Sequence, residues 1–204
     1  MIKTPLNSFW VLAEALFKLG AAGEARKLLE TTVTAIPLDP RLPGVLFLLA
    51  QSREATGDRA GAIEVYGRLA REFPEASPAA AARLGQGRLL LQDGRWEESR
   101  RLLEAVLAGQ DRAASVEAAH HLGEGFRSRG AHEAAVEAYM SAAYLAPTSS
   151  WGRRAHLGAG QSFTSLKEPG SAAIVYRRLL AQPDLEPELA GEARQALRRL
   201  GQPE

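Results

Sequence analysis

Few residues in this chain could carry chemistry. Cysteine is absent from all 204 residues, which removes thiol nucleophiles, thiolate metal sites and disulfides together. Four histidines remain. His120 and Glu124, four apart, share a face if their segment is helical, with His121 beside them and His156 further along the chain. Zinc needs three or four converging ligands. Helical spacing assures two here, and His156 falls at a packing position, so the group reads as a solvated polar patch and neither a metal nor a cofactor is expected. Gly85-Gln-Gly87, Gly123-Glu-Gly125 and Gly158-Ala-Gly160 each open like a dinucleotide fingerprint. None supplies the third glycine or follows a strand, and close helix packing explains small residues at these places. With no phosphate loop and no nucleophile elbow, catalytic residues are not expected and the chain does not read as an enzyme.

Charge excludes further classes. The chain holds 25 basic and 24 acidic residues, a net charge of +1, and neither half is polarised, so no nucleic-acid partner is expected. Four arginine pairs, Arg100-Arg101, Arg153-Arg154, Arg177-Arg178 and Arg198-Arg199, are interspersed with glutamates and read as solubilising surface. No run approaches the ~20 apolar residues of a membrane span, so no membrane insertion is expected. The apolar stretch from Phe9 to Phe17 is interrupted by Glu14, and no small-residue cleavage site follows before Lys18, so the N-terminus reads as no export signal.

These residues sit on a repeated scaffold. Four segments share a glycine, a polar turn, a small residue and, four places on, a bulky one: Gly20…Ala25…Leu29, Gly57…Ala62…Tyr66, Gly94…Ser99…Leu103 and Gly130…Ala135…Tyr139. A fifth, Ala172…Tyr176, has Lys167 in the glycine's place. Apolar residues within each unit recur at three and four, the helical period. Leu12, Leu16 and Leu19 predict one stripe; Leu28, Leu29, Thr32, Val33 and Ile36 the next. The glycine suits a left-handed helix end. Pro37, Pro74 and Pro147 should stop second helices, while Pro78 and Pro169 suit first turns. Each unit is thus an antiparallel helix pair, predicted at approximately 6–39, 43–76, 80–112, 116–149 and 153–185. A last helix over 186–200 buries Leu189, Ala193, Ala196, Leu197 and Leu200.

The pattern resembles the tetratricopeptide repeat (TPR) family over nearly the whole chain. The small residue of the family's first helix is matched by Ala13, Ala50, Gly87, Gly123 and Gly160, and that of the second by Ala25, Ala62, Ser99, Ala135 and Ala172. Arg53, Gln86 and Ala159 depart from the pattern, as do Arg83, Ala119 and His156 at the aromatic position. The expected fold is all-α: a right-handed α-solenoid of five TPR-like helix pairs plus a C-terminal capping helix, in one domain over 1–204. One pair cannot bury its apolar face alone, so stacking builds the core. The joints Pro74–Gly85 and Pro147–Gly158, with His121–Phe126, are similar to those of bacterial cell-envelope TPR modules, the Tol–Pal-associated coordinator and outer-membrane assembly lipoproteins. Asp111 replaces the expected proline after the third pair.

In such arrays first helices line a concave groove. The resemblance places Trp10, Glu14, Phe17, Phe47, Gln51, Leu84, Arg88 and Leu91 along its N-terminal half, and His120, Glu124, Arg127, Arg154 and Gln161 along the other. It implies a non-catalytic scaffold or adaptor that binds a segment of another protein, with Trp10, Phe17 and Phe47 as apolar anchors and Arg88, Glu124 and Arg127 orienting the polar part. The alternative is a structural unit that self-assembles as a homo-oligomer through its N-terminal pair. Location follows the resemblance as well: periplasmic or envelope if an upstream signal has been removed, cytoplasmic otherwise.

Overall fold

The computed structural model describes residues 6–35 and 39–203; Ile36 and Pro37, assigned above to a stripe and a helix stop, lie outside the described residues, as do Met1–Thr4. Among the described residues are eleven helices: α1 (Leu6–Lys18), α2 (Ala22–Ala35), α3 (Leu42–Ala55), α4 (Arg59–Glu72), α5 (Ala79–Gln92), α6 (Trp96–Leu107), α7 (Arg112–Arg127), α8 (His132–Leu145), α9 (Ser150–Ser165), α10 (Pro169–Leu180) and α11 (Pro187–Arg199). They fall into two compact units, Met1–Asp93 and Gly94–Glu204. In the first, α1 packs on α2, α2 on α3, α3 on α4 and α4 on α5. In the second, each helix from α6 to α10 packs on the next, and α11 lies against α10 and α9.

The turn inside each pair follows from one backbone feature. Gly57 adopts φ +80; its N–H donates to Glu54 O at 3.0 Å, and the next amide, Asp58, reaches back to Arg53 O at 2.8 Å. These crossed bonds satisfy the last helical carbonyls and need a left-handed residue at the junction. Gly20, Gly94 and Gly130 repeat the positive φ, and Lys167 takes +62 at the fifth junction, with Glu168 N–H donating to Phe163 O at 3.0 Å.

Two helices begin earlier than the apolar periodicity predicts, at 112 instead of 116 and at 150 instead of 153. Side-chain caps are the cause. Asp111 accepts from the Ala114 N–H at 3.0 Å and Ser149 from the Gly152 N–H at 3.0 Å, satisfying amides that an uncapped first turn would leave orphaned. The residue in place of the expected proline is thus a cap.

The bulky repeat residues are all interior: Leu29, Tyr66, Leu103, Tyr139 and Tyr176 are at most 3% exposed, each burial favouring the fold by about 2 kcal/mol. Aromatic rings explain most glycines of the Gly-x-Gly steps. A Cβ added to Gly85 would stand 2.9 Å from the Tyr66 ring, and one on Gly123 or Gly158 would stand 2.5 Å from Tyr139. The glycines are seats for aromatic rings. The predicted stripe on α1 is not borne out: Ala13 is buried, but Leu12 is 50% and Leu19 82% exposed. α1 has α2 beside it and touches α3, and among the described residues no earlier helix covers its other edge.

Candidate functional site

Within the first unit, the predicted groove residues are largely engaged by the chain itself. Leu84 is buried, which corrects its placement on a partner-facing surface; its face of α5 is core. Phe47 is half-buried with its ring centroid 5.8 Å from that of Tyr66. Trp10 packs over the bare Cα of Gly44, where an added Cβ would lie 3.3 Å from the indole. One Arg88 Nη donates to both Glu54 oxygens at 2.6 and 2.8 Å, and Glu14 pairs with Lys18 at 2.7 Å. Phe17, Gln51 and Leu91 are half-buried.

In the second unit the corresponding residues converge. His120, Glu124, Arg127, Arg154 and Gln161 line one cleft of about 480 Å³, bounded by α7, α9 and the start of α11. The small residues of α7 and α9 let Tyr139 of α8 reach the cleft floor between them. Its hydroxyl accepts from Arg127 Nε at 3.3 Å, and burial pushes its pKa up. Trp151, in the first turn of α9, stacks near both histidines, 5.0 Å from His120 and 5.1 Å from His121 between ring centroids. Arg154 lies over the indole at 5.2 Å.

The two histidines are shifted in opposite directions. Both are only 6% exposed. Burial dominates at His120 and lowers its pKa to about 4, the opposing pull of Glu124 being weaker; its Nε2 stands 3.8 Å from Glu124 Oε1. Burial also acts on His121, but pairing with Glu117 at 3.6 Å and Glu124 at 2.9 Å outweighs it and raises the pKa. The same hydrogen bond holds Glu124 below its usual range. Among the described residues no three His, Asp or Glu side chains converge as a metal site would require. His156 is 2% exposed with Nδ1 3.0 Å from Gly152 O, the packing position expected of it.

Sequence reasoning missed Trp151, Glu188, Leu189 and Glu192, which complete the cleft. Glu188 and Glu192 had a readable signal, since residues four apart share a helix face. Arg153 was read as solubilising surface, yet its side chain is 12% exposed. It donates to Asp184 O at 3.0 Å and Pro183 O at 2.7 Å and pairs with Glu186 at 3.3 Å. It thereby fixes the loop from which α11 enters the cleft.

Helix pairs of this kind, closed by left-handed junctions and packed through once-per-repeat small residues, define an all-α solenoid-type fold. The tetratricopeptide repeat family matches at residues 47–114 and 84–150, and the chain belongs to that family. No curated protein matches. Similar solved structures include a MamA protein, 17% identical with a TM-score of 0.73, covering 93% of this chain and 94% of that one. MamA from Desulfovibrio magneticus RS-1 is 20% identical with a TM-score of 0.73, covering 88% and 96%. A tetratricopeptide repeat protein from Parabacteroides merdae ATCC 43184 is 12% identical with a TM-score of 0.76, covering 96% and 73%. At such identities the likeness is one of fold. Proteins of this repeat family are typically non-catalytic scaffolds for protein–protein contacts.

Proposed function

We propose that the chain is a non-catalytic adaptor that captures a segment of a partner protein, and that the cleft of α7, α9 and α11 is its principal site. One observation carries this reading: polar and aromatic side chains from four helices line a single cleft of about 480 Å³, a size and composition suited to a few partner side chains. Trp10, Phe17 and Phe47, half-buried in the first unit, serve as secondary apolar contacts. The envelope-like joints after Pro74 and Pro147 support work within a bacterial envelope assembly.

The test is affinity capture from fractionated cell lysate with the wild type and with Arg154→Glu. Arg154 is exposed, so the reversal leaves the fold intact. Partners retained by the wild type and lost by the variant support the reading; identical partner sets mean the cleft is not the site.

A second reading, self-assembly, draws on α1. Val11, Leu12 and Leu19 are 62%, 50% and 82% exposed there, an apolar edge of the kind that marks interfaces. Molar mass in solution decides it: a dimer converted to monomer by Leu12→Glu supports this reading, and a monomer at high concentration refutes it.

A further inference from the structure

The charges around the cleft are unevenly spent. Glu124 is taken by His121 and Glu186 by Arg153. Arg127 donates to the Tyr139 hydroxyl and Arg154 lies over the Trp151 ring; neither lies within ion-pair distance of a carboxylate among the described residues. On the facing helix α11, Glu188 and Glu192 likewise have no ion pair among the described residues. Two cations on the α7–α9 side and two anions on the α11 side therefore line one cleft without neutralising each other.

An unmet hydrogen-bonding group lies at the same place. Among the described residues, six buried side-chain nitrogen or oxygen atoms lack a hydrogen-bond partner within the chain. Three line this cleft, but His121 Nε2 faces Glu117 at 3.6 Å and Glu186 Oε2 faces Arg153 at 3.3 Å, which leaves His120 Nδ1 as the one without a charged neighbour at that atom. A buried polar atom left unpaired is costly, so His120 Nδ1 marks a wall completed from outside the chain. His120 is neutral near pH 7. With Nε2 turned toward Glu124 its proton belongs there, which leaves Nδ1 an acceptor in need of a donor.

Resting on the adaptor reading, we infer that the cleft selects a bipolar segment of its partner: a peptide stretch that presents a carboxylate to Arg127 and Arg154 and a basic side chain to Glu188 and Glu192. A purely acidic segment would meet the α11 glutamates, and a purely basic one the two arginines. Each mismatch sets like charges together in a partly desolvated space, which is how charged interfaces reject wrong partners. Specificity comes from the pairing of opposite signs across one cleft, not from net charge, in keeping with a chain whose own net charge is +1.

The test is selection of random twelve-residue peptides, displayed on phage, against the immobilised full chain. Three proteins are compared: wild type, Arg127→Glu/Arg154→Glu and Glu188→Lys/Glu192→Lys. All four positions are on the surface or at its edge, and circular dichroism with thermal melting checks each fold. Peptides enriched on the wild type should carry both an acidic and a basic residue. The arginine variant should lose the acidic requirement and the glutamate variant the basic one, each weakening a selected wild-type peptide about tenfold or more. Enriched peptides of one sign or none, or preferences unmoved by both variants, overturn the bipolar inference while segment capture stands. A wild type that enriches no peptide at all overturns segment capture itself, and with it this inference.

Discussion

The ring of Tyr139 lies on the bare backbone of Gly158, so closely that a Cβ there would sit 2.5 Å from Cζ. Tyr139 is 1% exposed and has Gly123 on its other side, so the ring has nowhere to retreat. Gly158→Ala is expected to destabilise by about 1–3 kcal/mol through overpacking. Gly191, in α11 where an added Cβ would meet nothing within 4 Å, should respond the opposite way: Gly191→Ala gains about 0.5–1 kcal/mol of helix propensity. Denaturant melts of the two variants check this, and changes of the same sign in both would refute the seat argument.

Lys167 holds a φ of +62 where the other four junctions have glycine. A side chain in the left-handed region costs about 1 kcal/mol. Lys167→Gly should therefore raise stability by up to about 1 kcal/mol, and Gly130→Lys lower it by a similar amount. Thermal unfolding reads both, and a Lys167→Gly variant less stable than wild type would show that the lysine is fixed by something other than the turn.

Arg153 and Arg154 are neighbours with different work. Arg153→Ala removes the donors that hold Pro183 and Asp184, and should cost about 1–2 kcal/mol and speed amide exchange over 183–199. Arg154→Ala, on the exposed side of the helix, should shift stability by less than about 0.5 kcal/mol. Hydrogen exchange followed by mass spectrometry separates the two.

Acid should weaken the second unit in a defined window. Burial lowers the pKa of His120 to about 4 and also lowers that of His156. Between pH 4 and 6.5 the unfolded chain thus binds more protons at these residues, and stability falls as pH falls through that range. His121 acts oppositely: its pairing favours folding below the ordinary imidazole pKa, and that contribution is lost as pH rises through its raised value. The expected loss from His120 by pH 4 is on the order of 3 kcal/mol. NMR titration should show His121 protonating above the ordinary value and His120 only near pH 4. Denaturant midpoints of His120→Gln should depend less on pH over the same window than those of wild type.

Much of this was legible in the residues. Small and bulky positions recurring every 36 or 37 residues predicted the helix pairs and their interior, and all five bulky residues are buried. The glycines of the junctions were readable because few other residues adopt a positive φ. The starts of α7 and α9 were not, since Asp111 and Ser149 act through single hydrogen bonds that leave no periodic trace. Trp151 was missed for another reason: it lies outside the recurring positions, in a joint whose packing depends on where α9 meets α7 and α8.

Sequence alone determined the repeat, because burial of a helix face needs apolar and small residues at a fixed period, and a period is visible in one dimension. Only tertiary structure decided which polar residues remain to act. Arg88 and Arg127 both stand on first helices, α5 and α7, yet Arg88 is consumed by Glu54 and Arg127 is left facing a cleft. Whether a charge is spent or free depends on what lies within about 4 Å of it. For residues more than thirty positions apart, that distance is set by the packing of the helices between them.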